Sequence, residues 1–170
     1  PAYAGTLTAN LAVVGVILSM YGLWQAFARL PTGLAADWLG RRKPFIVAGL
    51  ALAAAGALMM GTARSASVLL AGRALTGVAA GAWVPLVVIF SSFFPRDEAI
   101  RATTILTLVT AVASIGATSV TGLLNSIGGY PLAFAVSAGS AGLAAAIALL
   151  IPEERLPRKP LPKPAAAGPG

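Results

Sequence analysis

Gly33-Leu-Ala-Ala-Asp37-Trp-Leu-Gly40-Arg41-Arg42-Lys43 sets one carboxylate and three cations between two long apolar runs, with glycines bracketing the turn. Glycine permits a sharp reversal, and the charges belong in water or among headgroups, so the segment reads as a loop at a membrane surface. Outward from it the chain is almost free of charge. Phe45 to Ala63 carries none, Ala74 to Pro95 carries none, and neither does the run from Ala102 to Pro152. Across all 170 residues 58% are hydrophobic and 10% charged, with a mean hydropathy of +0.86. Soluble domains hold roughly 25% charged residues. This much apolar surface therefore requires lipid.

A helix needs about 20 apolar residues to cross roughly 30 Å of hydrocarbon. As one straight helix, the run from Ala102 to Pro152 would reach about 76 Å at about 1.5 Å per residue, so it must fold back. Gly128-Gly129-Tyr130-Pro131 marks the reversal, because paired glycines loosen the backbone and proline cannot continue a helix. The expected architecture is all-α, a polytopic bundle over residues 11–151 with spans at 11–36, 45–63, 68–94, 102–125 and 132–151. Helices are required because lipid offers no partner to unpaired backbone groups. The strand-length alternation of a membrane barrel is absent from the pattern. Without cysteine or histidine the chain lacks disulfides, thiolate metal sites and the usual imidazole ligand. The reading assigns no metal, no cofactor and no catalytic residue, hence no enzyme activity.

Arg41, Arg42, Lys43, Arg96, Arg101, Arg155, Arg158, Lys159 and Lys163 fall on one side of this topology, and Arg64 falls on the other. The positive-inside bias makes the first side cytoplasmic, so the net charge of +7 is a topology signal and not an affinity for nucleic acid. With the amino end outside, residues 1–10 read as an extracytoplasmic loop following a span that precedes this sequence. Residues 152–170, rich in proline and charge, read as a cytoplasmic linker cut short. Restoring one helix gives six spans and a linker.

The order Gly-x-x-x-Asp-x-x-Gly-Arg-Arg-Lys from Gly33 to Lys43 resembles the loop between the second and third helices of the major facilitator superfamily of secondary transporters. Leu69-Leu-Ala-Gly-Arg73-Ala-Leu-Thr-Gly77-Val-Ala-Ala-Gly81 is similar to that family's fourth-helix pattern, and Pro95-Arg96-Asp97-Glu98-Ala-Ile-Arg101 to its next cytoplasmic loop. The family often has leucine where Ala35 stands and a basic residue where Trp38 stands. The Gly-Pro pair of one proton-coupled drug-exporter subgroup is also absent from Ser114-Ile-Gly116-Ala-Thr-Ser-Val-Thr-Gly122. The resemblance implies the N-terminal half of a permease or efflux protein, without its first helix, in a bacterial inner (plasma) membrane. It also implies alternating access, a small-molecule substrate, the C-terminal half of the same protein as partner, and proton coupling as an open option. Gly33, Asp37, Gly40, Arg41, Arg42 and Lys43 would then form a gating loop, with Asp37 its latch. The rival expectation is a structural or regulatory helical bundle that moves no solute.

Polar side chains inside the spans mark candidate cavity residues, since they should turn from lipid toward protein or water. Tyr21, Gln25 and Arg29 recur at steps of four, one helix face. Thr107, Thr110, Ser114 and Thr118 belong to a longer stripe from Thr103 to Asn125, which either lines a cavity or bonds back to its own helix. Arg73 either serves the cavity or snorkels to headgroups, and Arg29 has the same alternative. Gly77, Gly81 and Gly116 are the expected helix contacts. The runs 45–61 and 132–151 carry almost no polar side chain and are expected to face lipid.

Overall fold

The computed structural model describes residues 2–151, except for the side chain of Arg96; the linker read at 152–170 lies outside the described residues. The elements are α1 (Ala2–Leu7), α2 (Leu11–Leu39), α3 (Lys43–Gly61), α4 (Ala66–Ala79), α5 (Trp83–Ser92) and α6 (Ala99–Leu150). Short 3-10 turns, Ala80–Ala82 and Arg96–Glu98, precede α5 and α6. The expected loop at 1–10 is thus helical over Ala2–Leu7. Four helical rods are long and apolar enough to cross a membrane: α2, α3, the joined α4–α5 rod Ala66–Ser92, and α6. Alone, α6 exceeds any bilayer. It breaks at Gly129, whose φ of 69° and ψ of −171° are closed to residues with a Cβ, and Pro131 begins the return. The arms 99–128 and 130–150 are therefore two separate helices.

Local chemistry sets the other ends. The Asn10 carboxamide accepts from the backbone N–H of Ala12 at 2.9 Å and so caps α2, and the Ser65 hydroxyl accepts from Val68 N–H at 3.4 Å to cap α4. Gly40 closes α2 in the left-handed conformation, φ 65°, its N–H bonding Asp37 O. Pro44 starts α3, where its missing N–H goes unused. Between α4 and α5 the helix tightens at Ala80–Ala82; Pro85 has no proton for Gly81 O and its ring crowds that carbonyl, which explains the local distortion.

α4 sits between α2 and α3, and close approach needs small residues. A Cβ on Gly77 would lie 2.6 Å from Tyr21 O, and one on Gly81 would lie 3.0 Å from Ala28 Cβ. On the opposite face Gly72 and Gly56 meet, each 3.0 Å from the other's carbonyl oxygen if given a Cβ. These pairings show α2 and α4 running parallel and α3 antiparallel to both. The 130–150 arm runs antiparallel to α3: Gly61 meets Phe134 at one end, and Lys43 Nζ donates to Leu149 O (2.7 Å) and to Ile151 O at the other. α3 consequently lies within the bundle, between α4 and the last arm, with only one edge turned outward; the expectation that it faces lipid holds for that edge, which includes Leu58. Ala4, Ile17, Met60, Ala63 and Leu69 form a core cluster at the end opposite the basic loops. There Tyr3 donates to Ala63 O at 2.8 Å and stacks near Tyr130, with centroids 4.8 Å apart.

Candidate functional site

A cavity of about 650 Å³ opens midway along the spans. Tyr21, Gln25 and Arg29 reach it from α2, Thr76 from α4 and Thr110 from the 99–128 arm, against an apolar wall that includes Leu50 and Trp83. The step of four along α2 is what aligns the three longer side chains. Gln25 Nε2 donates to Tyr21 Oη over a long 3.4 Å, and the Arg73 guanidinium stands 5.9 Å from the centroid of the Tyr21 ring. Arg73 is half-buried rather than aimed away from the bundle. Its charge is attracted by the face of an aromatic ring that also lines the cavity. Such a site offers phenol, carboxamide, hydroxyl and cation in an apolar cleft, the makings of a pocket for a small amphipathic molecule.

The stripe on the first arm of α6 divides. Thr110 lines the cavity. Thr107, Ser114 and Thr118, exposed as Thr110 is, lie outside the cavity lining and donate to carbonyls one turn earlier, Thr103 O at 2.9 Å, Thr110 O at 2.8 Å and Ser114 O at 2.8 Å. Thr110 does the same toward Leu106 O at 2.7 Å. The hydroxyls are satisfied by their own helix, so the stripe needs no second helix for its hydrogen bonds. Gly116 departs from the expectation for it: a Cβ there would meet nothing within 4 Å, whereas Gly77 and Gly81 stand at true helix contacts.

At the basic end the bracketed loop is shorter than its sequence suggests. Gly33 lies inside α2, where its missing side chain admits Val84, and the helix continues through Asp37 to Leu39. Only Gly40 and the two residues after it turn. Asp37 therefore stands in the last helical turn, where the negative end of the dipole disfavours a carboxylate, and Arg42 supplies the counter-charge by donating from Nη2 to Asp37 Oδ1 at 2.8 Å. The Asp37 side chain remains 67% exposed and that of Arg42 only 19%. Glu98 is engaged by Arg101 at 2.9 Å, so it is Asp37 that receives Arg42. Arg41 is exposed, and Lys43 ties the start of α3 to the end of α6. Neither the Lys43 tether nor the Arg73–Tyr21 contact has a signal in residue spacing, because each joins distant parts of the chain.

The profile of the Major Facilitator Superfamily matches residues 1–169. The chain belongs to the major facilitator superfamily. It is 39% identical over 90 residues to the inner membrane transport protein YajR of Escherichia coli (strain K12), covering 53% of this chain and 19% of that protein. It is 31% identical over 155 residues to the chloramphenicol efflux pump Rv0191 of Mycobacterium tuberculosis (strain ATCC 25618 / H37Rv), covering 89% of this chain and 37% of the pump. The chloramphenicol efflux pump MT0201 of strain CDC 1551 / Oshkosh matches to the same extent. The chain thus spans little more than a third of the length of the pumps it resembles. No solved structure matches it significantly. Membership, with four apolar helical rods, makes the chain a multi-pass integral membrane protein of a transporter family and a partial helical bundle of that fold.

Proposed function

We propose that these residues serve as one half of a secondary active transporter that moves a small amphipathic solute by alternating access, with the cavity bounded by Tyr21, Gln25, Thr76 and Thr110 as its share of the substrate site. The observation that carries this reading is the position of that cavity: its polar groups come from α2, the joined α4–α5 rod and the first arm of α6 and sit near the middle of each, the depth at which transporters of inverted-repeat design bind substrate. Its volume of about 650 Å³ lies within the range of roughly 300 to 1,000 Å³ usual for drug-sized ligands. Relatives named as efflux pumps support export of such a molecule. The basic loops are cytoplasmic in this reading and the membrane is the bacterial inner membrane, in keeping with the name of the Escherichia coli relative.

Arg73 attracts an anionic group of the solute or holds charged a carboxylate contributed from outside these residues. Asp37 latches the cytoplasmic face by meeting the positive end of a helix in the other half, an interaction its exposure leaves open. Proton coupling remains the open option of this proposal, and the same assay decides it. The test is transport by the full-length protein in vesicles with and without an imposed pH gradient: uptake or extrusion that follows the gradient and is lost in Arg73→Ala supports both proton coupling and the role of the arginine. Gradient-independent movement removes proton coupling, and an unchanged Arg73→Ala removes the role of the arginine.

A further inference from the structure

A second cavity, about 640 Å³, opens at the basic end between α3, α5 and the last turns of α6, and adjoins the candidate substrate cavity, with which it shares Ile46, Leu50 and Leu86. Its floor is apolar, built from Ile46, Leu50, Leu86, Ile89, Phe93 and Ile147. Its mouth is cationic, with Arg42 and Lys43 on the rim. From Lys43 to Leu50 the groove descends about 10 Å at about 1.5 Å per residue, room for the upper part of an acyl chain.

Two features of the mouth ask for an anion. Arg42 spends Nη2 on Asp37, yet its Nε is buried and has no acceptor among the described residues. A buried donor without a partner is unfavourable, and a guanidinium one more so. α3 also begins here without help: Arg42 at its N-cap supplies no side-chain acceptor and the first turn contains no acid. The positive end of its dipole therefore lies at the same rim. Among the described residues of this loop, Arg42 on the rim and the exposed Arg41 are set against one carboxylate, Asp37. A cationic rim above an apolar floor, at headgroup depth, complements a phosphodiester carrying acyl chains and neither a neutral lipid nor a wholly apolar helix.

We infer that this groove holds one anionic glycerophospholipid, its phosphate against Arg42 and the start of α3 and an acyl chain along the floor. The bound lipid would cover the groove and couple the turn after α2 to the end of α6, making the loop that carries Asp37 responsive to lipid composition.

The test uses the full-length protein, delipidated and followed by native mass spectrometry with phosphatidylglycerol, with phosphatidylcholine of the same acyl chains, and with inorganic phosphate. The expected result is one tightly retained phosphatidylglycerol favoured at least about tenfold over phosphatidylcholine, the scale of a charge-assisted hydrogen bond. Arg42→Gln should abolish that preference. Ala148→Trp, which fills the groove without changing charge, should reduce retention of both lipids, and millimolar phosphate should leave the lipid in place. Should Ala148→Trp not fold, Ala144→Phe and the headgroup preference of the unmodified protein decide the matter. Equal retention of the two lipids, displacement by phosphate alone, or undiminished retention in the folded variants overturns the inference. So does retention that appears only once residues 152–170 are deleted, which would assign the groove to the chain's own tail.

Discussion

α3 and the 99–128 arm of α6 are both apolar helices studded with small residues, yet one is held on two sides and the other is nearly bare. α3 brings Gly56 against Gly72 of α4 and Gly61 against Phe134, so that backbones touch. On the arm, Gly116 and Gly122 meet nothing within 4 Å, while Leu108, Val112 and Ile115 project outward. Its start is covered, where Ala102 is fully buried, Leu124 and Asn125 are half-buried near its far end, and Thr110 reaches the central cavity. Small residues permit close packing; whether it occurs depends on what the rest of the chain presents to them. Hydroxyls follow the same rule. Those of the arm bond their own carbonyls, which makes its face equally tolerable to lipid, to water or to another protein segment.

The contrast is sharpest in a pair of glycine replacements. Gly72→Leu places its Cβ about 2.6 Å from Met60 Cγ and 3.0 Å from Gly56 O, and should destabilise the bundle by roughly 1–3 kcal/mol or prevent assembly. Gly116→Leu should shift stability by less than about 0.5 kcal/mol. Thermal unfolding of the full-length protein in detergent checks both, and equal losses would erase the distinction between the two helices. Next in size, a double-mutant cycle of Arg73→Ala with Tyr21→Leu should return a coupling of about 0.5–2 kcal/mol in substrate affinity, as expected for a cation over a partly desolvated ring. Tyr21→Phe should retain most of it, since the ring remains.

Asp37→Ala should slow transport several-fold while leaving substrate binding intact. Its effect on stability should stay below about 1 kcal/mol because the Asp37 side chain is 67% exposed in its ion pair with Arg42. Stopped-flow binding beside vesicle transport separates the two. The smallest effect belongs to Thr107→Val, whose lost hydroxyl served only its own helix; melting and transport should both be unaffected within error.

Much of this architecture is legible from the residues. Charge-free runs and the Gly128-Gly129-Tyr130-Pro131 reversal could be read because length and a positive φ are properties of the chain itself. The alignment of Tyr21, Gln25 and Arg29 was legible for the same reason, being a matter of helical period. What escaped depends on neighbours. Gly33 falls within the expected span 11–36, but the Val84 side chain that lies against it could not be named from spacing, and at Gly40, in the turn, a Cβ would meet nothing within 4 Å. Thr110 could not be told from Thr107 without the position of α2 and α4. Helicity at Ala2–Leu7 follows contacts with Ala63 and Tyr130 that lie far along the chain.

The most direct measurement is solvent mapping of single cysteines introduced into a cysteine-free full-length protein in native membranes, since these residues contribute no cysteine of their own. Gln25→Cys and Thr110→Cys should react with a membrane-impermeant maleimide and be protected by substrate, while Leu143→Cys, on the outward face of the last arm, should stay unlabelled. Labelling at Leu143 with none at Gln25 and Thr110 would contradict a watered cavity between these helices, and with it the transport reading.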